Sequence, residues 1–156
     1  MCGVFMNNTC CFFGHRDVFE PVSNLVYEKI CNLIENKNVT TFIVGDHGDF
    51  DKLCAAMVRK AKKNYKDIKL ILIRPYFSNE LNTNKEYYSD LYDDIIIPDE
   101  LADAHYKTAI PLRNEWMIEN SQYGIFYVKR EYGGAYNALK YARKLNKKIF
   151  NLCQTE

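Results

Sequence analysis

YGIFYVKREYGGAYNALKYARKLNKKIFNL, residues 123–152, is the stretch that decides the fold. An apolar run from Tyr123 to Val128 leads into Gly133 and Gly134, a helical segment follows, and a second apolar run spans Lys148 to Leu152. Strand, glycine turn, helix and strand in that order aim unbonded backbone N–H groups at a bound anion. The shape recurs upstream, where Thr41 to Val44 runs into Gly45, Asp46, His47, Gly48 and Asp49 and then a second helical segment. Two such loops in one chain predict an α/β domain that handles nucleotides or phosphates.

The remaining segments fit around this pair. A strand is expected over Thr9 to Phe13, ended by Gly14, His15 and Arg16. Pro21 opens a helix to about Asn36, with Val22, Leu25, Val26, Ile30, Leu33 and Ile34 on one broad face. Val39 to Val44 reads as the second strand. Phe50 to Asn64 reads as a helix burying Leu53, Met57 and Ala61, with Cys54 and Val58 at its flank. Ile68 to Ile73, apolar except for Lys69, has the pattern of a central parallel strand covered on both faces. Arg74 and Pro75 end it, and a polar, asparagine-rich excursion then reaches Tyr87. Ile95 to Ile97 forms a fourth strand, and Pro111 opens a helix to Asn120. The predicted architecture is an α/β fold: a single-domain, Rossmann-like three-layer sandwich over residues 1–156 with a mostly parallel sheet. A flavodoxin-like strand order is the competing arrangement, because periodicity does not say which strands are neighbours.

Composition narrows the partners. Twenty-one Lys and Arg stand against 20 Asp and Glu, a formal net charge of +1. That balance argues against DNA, RNA or an anionic membrane, and the lysine clusters at 60–66 and 140–148 read as solvated helix faces. Of the six cysteines, Cys10, Cys11, Cys31 and Cys54 fall in expected strands or helices, and no CxxC pair occurs. They read as small core residues of a reducing cytoplasm. No span of about 18 apolar residues suggests a membrane segment. His15, His47 and His105 are scattered and do not make a zinc set, so no metal and no cofactor is assigned. A homo-oligomer is compatible with the sequence, although no residue identifies an interface.

In open α/β sheets, ligands collect beyond the carboxyl ends of the strands. The expected binding residues are therefore those that follow each strand: Gly14, His15 and Arg16; Gly45, Asp46, Gly48, Asp49 and Asp51; Arg74; and Gly133 with Gly134. Arg16 offers a planar fork to a phosphate, or else bridges to Asp17, Asp46 or Asp49. His15 either donates to a phosphate or ribose oxygen or buttresses its own loop. Asp49 and Asp51 divide between capping the second helix and receiving ribose hydroxyls. Gly133 and Gly134 either cradle an oxyanion or make an ordinary turn, and Tyr132 or Tyr136 could stack on a base. Arg113 and Asn114 fall in the first turn of the helix opened by Pro111, a poor place for a cation without a carboxylate or ligand partner. No nucleophile motif or GxxxxGKS/T loop is present. Asp46, Asp49, Asp51 and Glu131 are available as general bases, and no catalytic residue is assigned.

Four segments together carry a family resemblance: 9–16 (TCCFFGHR), 42–51 (FIVGDHGDFD), 113–117 (RNEWM) and 132–135 (YGGA). The chain resembles a bacterial group near the YpsA-like proteins within the SLOG superfamily, which also contains the Smf/DprA and LOG proteins. The resemblance implies a Rossmann-like fold with a small nucleotide or nucleotide-derived ligand at the strand rim. It places Gly14, Arg16, Gly45, Gly48, Asp51, Arg113, Asn114, Gly133 and Gly134 in that pocket. LOG enzymes cleave nucleoside monophosphates with a PGGxGTxxE segment. Here Ala138 or its neighbour stands where the glutamate is expected, so the catalytic carboxylate is not carried over. DprA-like proteins bind single-stranded DNA, for which the flat charge balance offers little support. The function expected is that of a nucleotide-binding protein or sensor. The alternatives are an N-glycosidic, phosphoribohydrolase-like enzyme and a single-stranded nucleic-acid-binding module.

Overall fold

In the computed structural model, which describes residues 7–18 and 21–153, the apolar runs become six strands. They are β1 Thr9–Gly14, β2 Thr41–Val44, β3 Lys69–Ile73, β4 Asp94–Ile96, β5 Tyr123–Tyr127 and β6 Lys148–Asn151. All pair in parallel, in the order β4-β3-β2-β1-β5-β6. The chain steps outward from β1 to β4, returns across β1 and finishes with β5 and β6. This is the Rossmann-like order, and the flavodoxin-like alternative is set aside. Residues 1–6, 19–20 and 154–156 of the expected unit lie outside the described residues.

Strand alternation sorts the core into two layers. Cys10 and Phe12 of β1 point with Phe42, Val44 and Leu70 towards α1 (Ser23–Lys37) and α2 (Asp49–Lys62). Cys11, Phe13, Ile43, Ile71 and Ile73 face α5 (Tyr106–Glu119) and α6 (Gly134–Lys144). Phe12, Phe42, Phe50 and Phe126 are wholly buried, each contributing about 1.5–3 kcal/mol by transfer from water. The cysteines at 10, 11 and 54 are buried and unpaired, whereas Cys31 is half-buried.

Several expectations shift. In α2 the buried stripe is Phe50, Cys54, Ala55, Val58 and Ala61, so Leu53 and Met57 are the flank rather than the centre. The burial of Phe50 at the first turn turns the helix this way. In α1 the stripe is Val26, Ile30 and Leu33, spaced i, i+4, i+7, and Leu25 is 47% exposed. The asparagine-rich excursion contains two short helices, α3 (Asn79–Thr83) and α4 (Lys85–Leu91). Pro111 does not open α5. The helix starts a turn earlier, capped by His105, whose Nδ1 accepts from the N–H of Lys107 at 3.2 Å. Lys107 and Pro111 are both exposed, so the carbonyl that loses its i+4 partner faces solvent and the proline is tolerated.

Candidate functional site

The carboxyl ends of β1 and β2, the turn after β5 and the start of α6 enclose a cavity of about 400 Å³. It sits where the adjacent strands β1 and β5 send their following helices to opposite faces of the sheet, the crevice in which such folds collect ligands. Gly14, His15 and Arg16 reach it from β1, Gly45 and Asp51 from the β2–α2 segment, and Arg113 and Asn114 from α5. Gly133 and Gly134 close it at α6. Four other expected members are not brought there: Asp46, Gly48, Asp49 and Arg74.

Each of the four is used locally. Nη1 of Arg74 donates to Oδ2 of Asp46 at 2.5 Å and Nη2 to Oγ of Ser78 at 2.9 Å, which turns that pair towards α3 and α4. Burial alone would raise the Asp46 pKa, but His47 and Arg74 together hold it below the usual carboxylate value. Gly48, rather than Asp49, is the N-cap of α2. The N–H of Asp49 donates to the carbonyl of Arg16 at 2.7 Å, tying the two loops together.

Arg16 makes no ion pair among the described residues, so the bridges to Asp17, Asp46 and Asp49 are not formed. Its exposed side chain runs along the cavity wall. His15 has its Nε2 engaged as an acceptor from the N–H groups of Lys129, at 2.9 Å, and Arg130, at 3.4 Å. Burial, then the charges of Arg130 and Lys129, push its pKa below the ordinary histidine value. The neutral ring thus buttresses the turn after β5 from across the crevice.

Beneath the cavity lies a buried charge arrangement. Arg113, 3% exposed, donates from Nη1 to the carbonyl of Ile73 and from Nε to Oδ1 of Asn114, both at 3.0 Å. It lies about two turns inside α5, so its partners are tertiary and have nothing to do with a helix start. The Asp51 carboxylate accepts the N–H of His47 at 3.0 Å, closing the loop before α2. A side chain on Gly45 would lie within 2.9 Å of Nη1 of Arg113 and 3.1 Å of Oδ2 of Asp51, so glycine there lets both groups reach the site.

Burial pushes the Asp51 pKa up from 3.8 to about 6, against the opposing pull of Arg113 and the His47 hydrogen bond. A carboxyl whose folded pKa is raised destabilises the fold once the unfolded chain can ionise. Its contribution is therefore favourable below about pH 4 and is lost as pH rises through about 6. Relative to Asp51→Asn, the wild-type chain should lose about 3 kcal/mol over that window. Urea denaturation of both proteins from pH 4 to 7 measures the difference, and a flat difference curve would exclude a raised Asp51 pKa.

Several lining residues escaped the sequence reading. Arg130, exposed at the mouth, has its guanidinium 5.3 Å from the ring of Tyr132. The basic pair Lys129–Arg130 directly before the glycine turn was the available signal. His47 also lines the cavity, and Phe12, Phe13 and Met117 give it an apolar floor. Of the four candidate general bases, only Asp51 borders it. Ala138 is buried in the core beneath α6, so no carboxylate stands at that position.

The profile of the YspA SLOG family (YpsA) matches residues 6–152. No curated protein matches the chain. Among solved structures it is similar to DNA processing protein A (DprA) from Streptococcus pneumoniae, with a TM-score of 0.69 and 13% identity. That likeness covers 97% of this chain and 51% of the other. It is also similar to DprA from Helicobacter pylori, described for its single-stranded DNA binding mode, with a TM-score of 0.62 and 18% identity over 94% of this chain and 66% of the other. The chain thus spans about half the length of the pneumococcal protein. These likenesses overturn the exclusion of nucleic acid drawn from net charge, since the same fold occurs in a protein that binds single-stranded DNA. The inference failed because net charge sums over the whole surface, whereas a phosphate chain responds to the local field. No helix among the described residues is long and apolar enough to cross a membrane.

Proposed function

The chain belongs to the YspA SLOG family, and from that premise we propose that its crevice binds a nucleotide or nucleotide derivative, gripped through a phosphate at the start of α6. One observation carries this reading. A Cβ added at Gly14, Gly45 or Gly48 would collide with neighbouring protein atoms, whereas at Gly134 it would meet nothing within 4 Å. Gly134 is not among the positive-φ residues. Alanine would suit the first turn of a helix better by about 1 kcal/mol. The fold has no use for a bare backbone at this point, but a ligand that must approach the amides does. No side chain caps α6, so its first N–H groups and the helix dipole face the cavity unopposed. Arg16 and Arg130 supply cationic forks for the same anion, and Asp51 offers an acceptor for ribose hydroxyls.

The test is a thermal-shift series with AMP, ADP, ATP, NAD, ADP-ribose and ribose 5-phosphate on the wild type, Gly134→Val and Arg130→Ala. At a hundred times its dissociation constant a ligand adds about 2.7 kcal/mol of stability. Gly134→Val should fold normally and lose that shift, because a Cβ there meets no protein atom within 4 Å and the branched side chain fills the approach. An undiminished shift in this variant would move the site elsewhere.

A second reading, a single-stranded nucleic-acid-binding module, is favoured by the likeness to the Helicobacter pylori protein. There the same phosphate contacts would serve one unit of a strand. Retention on single-stranded DNA that falls steeply with salt distinguishes it.

A further inference from the structure

A second cavity, of about 380 Å³, opens between the end of β3 and the α3–α4 excursion. Its walls are tyrosines: Tyr76 and Tyr87 are 41% and 60% exposed, and Tyr88 and Tyr92 stand behind them. Tyr87 meets Tyr88 edge-on at 5.2 Å, and Tyr88 stacks with Tyr92 at 6.4 Å, which fixes the rings as a wall. The polar groups of this cavity are incomplete. Among the described residues, the buried side-chain atoms left without a hydrogen-bond partner are Oδ1 of Asp46, Nδ1 of His47 and Nε of Arg74, and all three residues line it. Nδ1 of His47 and Oδ1 of Asp46 lie 3.4 Å apart and face each other, and His47 helps to hold the Asp46 pKa down. Arg74 is itself 8% exposed. Its Nε is a buried donor without a hydrogen-bond partner among the described residues, an uncommon state for such a group.

The chemistry selects that partner. Exposed tyrosine faces beside polar side chains suit the face and edge of a heterocyclic base. The lining sets Asp46 and Glu80 against Lys52 and Arg74, with Asp46 paired to Arg74, so it has no net charge to draw a bare phosphate. The cavity adjoins the crevice, with His47 as their shared wall. Each volume lies in the range of a whole ligand site, about 300–1,000 Å³, so the two together exceed what one mononucleotide fills.

We propose that the tyrosine-walled cavity is a second, nucleobase-binding subsite, contiguous with the crevice across His47, and that the chain takes a ligand of at least two linked nucleotide units. One unit places its phosphate at α6 while the base of the other lies against Tyr76 and Tyr87. This rests on the nucleotide reading of the crevice and extends it to the length of the ligand.

The experiment compares 5′-AMP, the 5′-phosphorylated dinucleotide pApA and a ten-residue deoxyadenylate by calorimetric titration of the wild type, Tyr76→Ala/Tyr87→Ala and Gly134→Val. Both tyrosines are solvent-facing, and a matching thermal midpoint confirms that the double variant folds. pApA should bind the wild type at least tenfold more tightly than AMP, as one stacked base supplies. The double variant should lose that gain and keep its affinity for AMP. Gly134→Val should weaken both. Equal affinities for AMP and pApA, or an advantage for pApA that survives loss of the tyrosines, overturns the subsite and leaves the crevice reading standing. Failure of all three probes on the wild type overturns both together. Tighter binding of the decamer than of pApA assigns the second unit to a strand, and equal binding assigns it to a free dinucleotide; the subsite is supported either way.

Discussion

Gly48→Ala is expected to lower the stability of the fold by about 2–6 kcal/mol, from two contributions of about 1–3 kcal/mol each. Gly48 sits at φ +98° and ψ 179°, a conformation essentially restricted to glycine. Its Cβ would also lie 2.7 Å from Cα of Arg16 and 3.1 Å from Cβ, a collision with backbone that no rotamer relieves. Gly133 provides the control. Its φ of +94° and ψ of 177° are nearly the same, it caps α6 as Gly48 caps α2, and its Cβ would meet nothing within 4 Å. Gly133→Ala should therefore cost only the conformational part, about 1–3 kcal/mol. Urea denaturation of the two variants, with unchanged m-values, measures the steric contribution as their difference. Equal costs would mean that the segment bearing Arg16 simply moves aside. The contrast also separates the two glycine loops by purpose. The space above Gly48 is filled by the protein's own Arg16, and the space above Gly133 and Gly134 is left open.

The second large effect is expected at Arg113. Arg113→Met keeps length and apolar stem but removes the guanidinium. The carbonyl of Ile73 and Oδ1 of Asn114 lose their donors, and Asp51 loses its principal attractive charge. Orphaning buried polar groups at this point should cost about 3 kcal/mol. Because the Arg113 charge works to lower the Asp51 pKa, its removal must move that pKa further above about 6. Carbon-13 NMR titration of the Asp51 carboxyl reads this directly. An unchanged midpoint would show that the two groups do not sense each other across Gly45. The stability loss should shrink at lower pH, where Asp51 is protonated and no longer needs the cation.

Local structure was legible where the chain carries its own signal. The apolar runs at 68–73 and 123–128 lie within two residues of β3 and β5, because a strand buried on both faces must be largely apolar. The glycine turns before α2 and α6 were legible for the same kind of reason, a backbone requirement met by one residue type. Pro111 misled because its missing hydrogen bond matters only if the orphaned carbonyl is buried, and burial is not a local property. The excursion from Tyr76 to Tyr87 read as featureless since neither short helix has a long enough face to show periodicity.

Local chain chemistry sets the elements, their order, the two glycine loops and the family likeness. All of these follow from torsional and hydrophobic preferences within a few residues of chain. Only the tertiary structure decided which of the loop residues meet. Strand order brings the ends of β1 and β5 together, so Arg16, Arg130 and Gly134 share one crevice, although His15 and Arg130, joined there by a hydrogen bond, are 115 positions apart. The same packing turns Arg74 and Asp46 away to the tyrosine-walled cavity and places Asp51 beside Arg113. Side-chain direction, desolvation and charge pairing depend on atoms that are distant in sequence, and those are the quantities that make a site.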